Sequence, residues 1–156
     1  MRLPCSSSRQ WGFRADGSNL PWVLHRLQQN PARYGQWLAH IQEALPEFRS
    51  FSTVFNEEND HRYLTAHTTD DVALPSWLLS DGTLRLLALT LLAYGEDRSG
   101  SYLIEEPENG IHPKAMETVF QSLSSVHNAQ IFMTTHSPVL LSLASPAQLL
   151  CFAKTA

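Results

Sequence analysis

The chain has 156 residues, of which 43% are hydrophobic and 17% charged, a composition typical of one soluble globular domain. Eleven basic and fifteen acidic residues give a formal net charge of −4, which excludes a protein that coats nucleic acid with a basic surface. No apolar run approaches the roughly 18 residues of a membrane helix, and no signal peptide is recognisable, so we expect no membrane partner. Cys5 and Cys151 form neither a disulfide framework nor a zinc motif, which favours a reducing cytoplasm.

The N-terminal third begins without a regular pattern and then becomes helical. Residues 1–18 are rich in serine, arginine and glycine, which predicts an irregular N-terminal segment. Asn19 is a candidate helix cap, because the apolar residues that follow recur at helical spacing as far as Asn30. A second helical pattern runs over 33–45 and is stopped by Pro46. These patterns predict a helical pair.

A β-hairpin is predicted after the helical pair. Residues 51–55 and 63–67 are short, β-prone runs that flank a polar loop. Residues 68–77 contain adjacent aspartates and a proline, which indicates a connector. We therefore expect 19–75 to form one region of a helical pair and a β-hairpin, followed by a C-terminal lobe over 76–156.

The C-terminal lobe alternates between strands and helices. The predicted elements are an apolar, buried helix at 84–94, a buried strand at 102–104, an amphipathic helix opened by Pro113, a buried strand at 131–133 and a further strand at 149–152. This alternation predicts an α/β fold with a parallel sheet and crossover helices.

A first polar cluster, residues 79–83, lies at the start of the apolar helix. Helix N-termini expose unpaired N–H groups and a partial positive charge, and they therefore hold anions such as phosphate. Ser80 adds a hydroxyl group, and Gly82 allows a ligand to approach the backbone closely. The alternative is an ordinary helix cap.

A second polar cluster, Glu105 to Asn109, follows the strand at 102–104 directly. Ligands of parallel sheets gather beyond the carboxyl ends of the strands. Adjacent carboxylates there can divide the work, one toward Mg²⁺ and its waters and one toward an attacking water. The alternative is a solvated acidic loop. Two acids directly after a buried strand lose hydration, however, and this desolvation costs free energy unless a cationic group meets them.

A third polar cluster, residues 134–138, follows the next strand. His136 within it can hydrogen-bond a phosphate oxygen or an attacking water. The alternative is a histidine with a purely structural role.

In order and content, these three clusters resemble the second half of an ABC-type ATPase head. Residues 79–83 look like the signature motif, 102–106 like the Walker B strand, and His136 like the switch histidine. The motifs quoted in full are Ile104-Glu105-Glu106-Pro107-Glu108-Asn109-Gly110-Ile111-His112-Pro113 and Thr134-Thr135-His136-Ser137-Pro138. Their residues are most similar to those of the AAA-family ATPases of the RecF-like, chromosome-maintenance and OLD-nuclease group. The resemblance implies a partial P-loop NTPase fold; it is strong over 76–156 and weak upstream.

The resemblance implies roles for the signature-like cluster. Ser80 and Gly82, with the N-terminus of their helix, would contact the γ-phosphate of ATP held by a second, facing ATPase head. Asp81 and Thr83 stand where transporters commonly have glycine and glutamine. These departures count against a transporter rather than against ATP, and Asp81 stays within the implied ATP-binding set.

The resemblance also implies roles for the acidic and histidine clusters. Glu105 takes the place of the usual Walker B aspartate and would support Mg²⁺ through water. Glu106 would be the catalytic base that polarises the attacking water. Asn109 to His112 fall where the D-loop crosses the dimer interface, and His136 would bond the γ-phosphate.

The chain lacks a Walker A motif. A P-loop ends in Gly-Lys followed by serine or threonine, but Lys114 follows proline and Lys154 follows alanine. We therefore predict an ATPase lobe that works in a head dimer with a P-loop segment supplied elsewhere, and that is inactive alone. A DNA or nuclease partner, in DNA repair or defence against phage, is expected by analogy of fold.

Two other classes of function remain open from the residues. The chain could be a non-catalytic interaction fragment or a truncated ATPase, which the missing P-loop favours. A metallohydrolase would use Glu105, Glu106, His112 and His136, but no His-Glu-x-x-His spacing is present. A serine hydrolase would need a Gly-x-Ser-x-Gly elbow, which is also absent.

Overall fold

The structure, a computed structural model, describes residues 1–9, 12–95, 99–127 and 129–153. Its strands are β1 (Cys5–Ser6), β2 (Phe48–Asn56), β3 (His61–Thr68), β4 (Ala73–Pro75), β5 (Gly100–Glu105) and β6 (Ala129–Thr134). Its α-helices are α1 (Leu20–Gln28), α2 (Pro31–Ala44), α3 (Asp81–Tyr94), α4 (Met116–Ser124) and α5 (Pro138–Leu143). Short 3₁₀ helices lie at Ser7–Arg9, Ser76–Leu78, Pro113–Ala115 and Pro146–Gln148.

The predicted helical pair is present. The Asn30 side chain accepts a hydrogen bond from the Arg33 amide at 3.1 Å, so α2 begins at Pro31, earlier than predicted. Asn19 is the N-cap residue of α1, as predicted, but its side chain makes no capping hydrogen bond. In the buried Asn19 side chain, Nδ2 instead donates to the Gly12 carbonyl at 2.7 Å and Oδ1 accepts from the Arg14 amide at 3.1 Å. A polar side chain this deeply buried takes the partners that its neighbourhood offers.

The predicted β-hairpin is formed by β2 and β3, which pair antiparallel with Phe51 opposite Ala66. Two short strands, β1 and β4, also pair with β3. The predictions of an irregular segment at 1–18 and of a plain connector at 68–77 are therefore wrong in part. Both strands are too short to show a periodicity, and each depends on a partner strand that lies elsewhere in the chain.

The predicted parallel pair is formed by β5 and β6, with α4 in the connection between them. Tyr102 pairs with Ile131 and Glu105 with Thr134. The strands are not buried as predicted, because alternate side chains face solvent: Leu103 is 84% exposed and Phe132 43%. One face of this two-stranded sheet packs on the core and the other is bare.

The strand predicted at 149–152 is absent. Residues 149–153 carry no regular secondary structure, and Leu150 and Phe152 are 76% and 94% exposed. An apolar, β-prone run becomes a strand only when its backbone groups find a neighbouring strand. This run pairs with neither described strand of the parallel sheet.

One hydrophobic core joins α1, α2, the antiparallel sheet, α3 and α4. The helix α3 lies at its centre, because five of its six leucines are buried, as the apolar sequence predicted. The indole of the fully buried Trp37 on α2 donates to the hydroxyl of Thr90 on α3 at 3.1 Å. None of the described helices is long and apolar enough to span a membrane.

We expect Thr90→Val to lower the free energy of unfolding by about 1–3 kcal/mol, because the indole N–H of Trp37 then lies buried without an acceptor. In a Trp37→Phe background, the same substitution should cost clearly less, because no N–H is present. Urea unfolding of the four variants measures the difference. Equal losses in both backgrounds would show that this hydrogen bond does not join α2 to α3.

Candidate functional site

The signature-like cluster forms the start of α3. Ser80 is the N-cap residue; its hydroxyl oxygen accepts from the Thr83 amide at 3.0 Å and lies 2.8 Å from the Thr83 hydroxyl. Ser80 is also exposed, so the capped end of the helix opens to the surface. Capping and anion binding are compatible there, because a cap satisfies only one of the free N–H groups of the first turn.

The Asp81 carboxylate is paired with Arg2, a contact that the sequence did not indicate. Arg2 Nε lies 2.8 Å from Asp81 Oδ1, and Arg2 Nη1 donates to the Trp77 carbonyl at 3.2 Å. The hydrogen bond from Arg2, and then its charge, lower the pKa of Asp81. The N-terminal segment is thereby tied to the first turn of α3, and the two partners lie 79 positions apart in the chain.

Gly82 allows a close approach, but not the one predicted from the sequence. A Cβ atom added at Gly82 would overlap the carbonyl oxygen of Gly110, and the Gly110 carbonyl carbon would lie 3.1 Å from it. The space that was predicted for a ligand therefore holds the loop after β5. The first turn and this loop line a surface cleft of about 220 Å³, to which His112 and Lys114 also contribute.

Two consecutive glutamates lie at the end of β5, and their backbone conformations differ. Glu105 is the last residue of the strand and is exposed. Glu106 has a φ of 43°, a left-handed conformation that costs a non-glycine residue about 1–2 kcal/mol. Its amide donates to the Thr134 carbonyl at 2.9 Å, and Asn109 Nδ2 donates to its Oε2 at 2.6 Å. Such strain clusters at functional sites, where the surrounding contacts impose it.

Arg85 on α3 holds the peptide backbone at these glutamates. Its Nη2 donates to the carbonyl oxygens of Glu105 at 3.0 Å and Glu106 at 2.9 Å. The sequence alone did not indicate a role for this residue. An arginine soon after the signature-like motif, on an otherwise apolar helix, was the one signal that could have marked it.

Glu108 joins the acidic cluster to the histidine cluster. Its Oε1 accepts from the Thr135 hydroxyl at 2.6 Å and from the amides of His136 and Ser137, both at 3.1 Å. Burial would raise the pKa of Glu108, but these hydrogen bonds outweigh it and lower the pKa. Its Oε2 is buried without a hydrogen-bond partner among the described residues.

The two candidate histidines have different surroundings. His136 is exposed, and its ring makes no hydrogen bond within the described part of the chain, whereas its backbone amide is held by Glu108. His112 Nδ1 accepts from the Lys114 amide at 3.2 Å at the start of a 3₁₀ helix. In residues 1–9, 12–95, 99–127 and 129–153, no three histidine, cysteine or acidic side chains come close enough to hold a metal ion.

Direct contacts therefore join the first turn of α3, the loop after β5 and the segment after β6 into one surface, which we call the connected edge. Arg85 and Gly82 connect α3 to the loop after β5, and Glu108 connects that loop to the segment after β6. The carboxylates of Glu105 and Glu106 are hard oxygen donors. They fit a Mg²⁺ ion that takes one or two protein ligands and completes its shell with water and phosphate oxygens.

A family model described as "AAA domain, putative AbiEii toxin, Type IV TA system" matches residues 13–142, which is most of the chain. No curated protein sequence matches this chain.

Three solved structures share the fold. One comes from work on ATP-driven dimerization and DNA-stimulated activation of SMC ATPases, with 13% identity, a TM-score of 0.55 and 78% of each chain covered. The second is the Smc head domain from Pyrococcus furiosus with an extended coiled coil, bound to the C-terminal domain of ScpA (15% identity, TM-score 0.56). The third is the Smc head domain from Pyrococcus yayanosii with a coiled coil and joint (15% identity, TM-score 0.51).

The last two matches cover 79% and 76% of this chain but only 32% and 24% of the solved chains. This chain thus spans about a third and a quarter of their lengths. At these identities the likeness shows the fold, which is that of an ATPase head.

We expect the Glu108 hydrogen bonds to make stability depend on pH. Because the pKa of Glu108 is lower in the folded chain, its contribution is fully present above the ordinary value of 4.5 and is lost as the pH falls through the folded value. Glu108→Gln should therefore be less stable than the wild type at neutral pH and converge with it in acid. Urea unfolding across this range measures it, with the exposed Glu117→Gln as the matched control; parallel curves would contradict the prediction.

Gly82→Ala should destabilise the chain by about 1–3 kcal/mol, because the new methyl group displaces the Gly110 backbone. Gly35→Ala, inside α2, is the matched control: nothing lies within 4 Å of its added Cβ. There the same substitution should stabilise by about 0.5–1 kcal/mol through helix propensity. Thermal unfolding of both variants compares the signs; a gain in stability at Gly82 would rule out the close contact.

Proposed function

This chain belongs to the AAA-domain family whose description names a putative AbiEii toxin and type IV toxin–antitoxin systems, and we propose that it is one lobe of a composite ATP-hydrolysing head. Family and fold support a nucleotide-binding, ATPase-type function. The composite site, the roles of single residues and the biological setting are parts of the proposal.

The observation that carries the proposal is the connected edge. The first turn of α3, the acid pair after β5 and the histidine segment after β6 are joined by hydrogen bonds of Arg85 and Glu108. Within that edge, Glu106 is held in a strained left-handed backbone. Asp60 and Asp71 also have a left-handed φ, in exposed loops, so the support comes from the hydrogen bonds that hold Glu106 at both its backbone and its carboxylate. A catalytic carboxylate needs such a fixed direction.

We assign the proton-accepting role to Glu106. Its carboxylate, oriented by the hydrogen bond from Asn109 Nδ2, accepts the proton of the water that attacks the γ-phosphate. Glu105 lies one residue before it with an exposed carboxylate and would hold a Mg²⁺ ion through its waters. When bound, this ion would supply positive charge that offsets the charge on the transferred phosphoryl group.

The exposed end of α3 serves the nucleotide of a second, facing head. Ser80 and the free amides of the first turn supply donors to the γ-phosphate of that nucleotide. Arg2 pairs with the Asp81 carboxylate and so balances its negative charge beside the phosphate. Gly82 acts indirectly, since it brings Gly110 and the D-loop segment from Asn109 to His112 beside the turn. His136 is exposed, and its ring makes no hydrogen bond within the described residues. We assign it to the same phosphate.

The exposed face of the parallel sheet supports the proposal that a further lobe packs against this chain. Leu103 and Phe132 lie on this face, and the chain offers no Gly-Lys sequence to hold the β- and γ-phosphates. The two side chains are direct neighbours across the strands, among polar residues, and an exposed apolar pair of this kind fits a covering layer. We propose that a segment bearing the P-loop covers it and completes the nucleotide site.

Partners and setting follow from the family. We propose a second ATPase head as the partner and a DNA-directed or nuclease effector, in DNA repair or in defence against phage. The toxin–antitoxin description of the family and the DNA-stimulated activation named for the SMC ATPases support this setting. The net charge of −4 supports a DNA contact made by other parts of the assembly. Cys5 is buried and forms no disulfide within the described residues, which supports a reducing cytoplasm.

A second candidate is a non-catalytic interaction lobe, which the missing P-loop lysine favours. The metallohydrolase alternative, in contrast, lacks its ligand set, because the described residues hold no cluster of three or more ligand side chains.

In the head completed by its P-loop segment, Glu106→Gln should lower ATP turnover by about 10²- to 10⁴-fold, the typical contribution of a positioned general base. ATP binding and ATP-driven dimerisation should persist, because the amide keeps the size of the side chain. Glu117→Gln, an exposed glutamate on α4, is the matched control and should leave turnover unchanged. Steady-state phosphate release measures both; equal turnover in both variants would favour the interaction lobe.

A further inference from the structure

We propose that the outer end of strand β2, residues 53–56, takes up an extended acidic segment of a partner polypeptide as an additional strand, and that Arg62 pairs with a carboxylate of this segment. We call these four residues the open edge. None of the residues of the connected edge takes part, so the inference does not depend on the proposed ATPase function.

The strand β2 lies at the edge of the antiparallel sheet, where β3 is its paired strand among the described residues. The Phe51 N–H donates to the Tyr34 hydroxyl at 3.0 Å, and the Phe51 carbonyl accepts from the same hydroxyl at 2.7 Å, so both groups face away from β3. Residues of an antiparallel strand alternate between facing the partner strand and facing away from it. Because the register is unbroken from Phe51 onward, Thr53 and Phe55 also turn their N–H and C=O groups outward.

Side chains of the helical pair cover the edge of β2 only as far as Phe51. Tyr34 on α2 binds both of its backbone groups, and Gln28 on α1 donates to its carbonyl at 3.1 Å. Within the described part of the chain, the outward groups of Thr53 and Phe55 have no hydrogen-bond partner. A row of unpaired N–H and C=O groups at a sheet edge is a template for a further strand.

The side chains at the open edge are apolar and partly exposed. Val54 is 40% exposed and Phe55 39%, and the two side chains lie on opposite faces of the sheet because they are consecutive in the strand. A strand that adds to β2 therefore meets an apolar neighbour on each face. In this mode of recognition, main-chain hydrogen bonds supply affinity and the side chains supply specificity.

Arg62 brings a positive charge to the open edge. It lies on β3 opposite Phe55, and its guanidinium carbon is 4.5 Å from the centre of the Trp22 ring and 5.1 Å from that of Phe55. Its Nη1 donates to the Thr53 hydroxyl at 2.9 Å. The side chain thus crosses from β3 to β2, and two aromatic rings fix the position of the charge.

No carboxylate among the described residues balances this charge, since the ion pairs there involve other arginines. The Nε of Arg62 is buried without an acceptor in the same part of the chain, and burial lowers the pKa of Arg62. The pKa of His25 on α1 is lowered as well, first by burial and then by the charge of Arg62. A partly buried guanidinium makes its strongest hydrogen bonds to a carboxylate, so charge complementarity selects an acidic segment.

The surroundings favour an isolated carboxylate over a chain of phosphates. The turn that joins β2 to β3 carries Glu57, Glu58 and Asp60, which would repel a polyanion such as nucleic acid. The segment that fits is therefore extended and apolar at several positions, with one aspartate or glutamate that reaches Arg62.

The test selects phage-displayed random peptides on the 156-residue chain. The strongest peptide is then synthesised in two forms, one with its acid and one with the corresponding amide. Fluorescence anisotropy measures the Kd of both forms for the wild type, for Arg62→Met and for Arg49→Gln. Arg49 is the matched control, because it is an arginine of the same sheet that is already paired with Asp71.

We expect the selection to enrich β-prone peptides that carry aspartate or glutamate. The amide form should bind the wild type about ten- to a hundredfold more weakly, the effect of losing a hydrogen bond to a charged group. Arg62→Met should show the same loss and should not distinguish acid from amide, whereas Arg49→Gln should match the wild type. By NMR, the acidic peptide should raise the pKa of His25 in the wild type, because it offsets the charge of Arg62.

A second pair of variants tests the addition of a strand. Phe55→Ala and Phe55→Pro both remove the ring, but only proline also removes the outward N–H, a change that an edge strand tolerates. Phe55→Pro should therefore bind the peptide more weakly than Phe55→Ala. If Phe55→Pro does not fold, hydrogen exchange of the Phe55 amide in the wild type decides, because the bound peptide should slow it.

The absence of any enriched peptide, or equal binding of the acid and amide forms, would overturn the proposal. Unchanged affinity in Arg62→Met would do so too, as would equal affinity of the two Phe55 variants. A dimer of the chain alone that Phe55→Pro abolishes would show that a second copy occupies the open edge. An oligonucleotide of dT that binds through Arg62 where acidic peptides do not would assign the surface to nucleic acid. Either result would reject the acidic segment.

Discussion

A single carboxylate oxygen, Glu108 Oε1, is the contact on which the candidate site depends. It accepts one hydroxyl and two amide hydrogen bonds from the segment after β6 while its own backbone lies in the loop after β5. The parallel sheet has only two described strands, so few other contacts relate these two segments. A charged acceptor with several donors is stronger than its neutral counterpart, and the lowered pKa keeps Glu108 charged at neutral pH.

The helix α3 then brings the third cluster to the same edge. Gly82 has no side chain, so the Gly110 carbonyl approaches the first turn, and Arg85 reaches the backbone of the acid pair from one turn further on. Glu106 itself has a left-handed φ of 43°, and in the proposed function this backbone sets the direction of its carboxylate.

The hydrophobic core is covered on one side of the fold, whereas one face of the parallel sheet is exposed on the other. Around Trp37 and the leucines of α3, the core is closed, and the buried Trp37 and Thr90 side chains pair within it. On the outer face of the parallel sheet, Leu103 and Phe132 are exposed, and the described residues after α5 add no strand to that sheet. In the proposed composite head, the segment that bears the P-loop would cover this face.

The sequence by itself determined the features that depend on neighbouring residues: the periodicity of the helices, the β-hairpin, the order of the three polar clusters and the absence of a Gly-Lys sequence. It did not reveal β1, β4, the pairing of Arg2 with Asp81, or the connecting roles of Arg85 and Glu108, and it placed a strand at 149–152 that does not form. Each of these depends on a partner distant in the chain, and only the tertiary structure decides which donors, acceptors and strand edges meet.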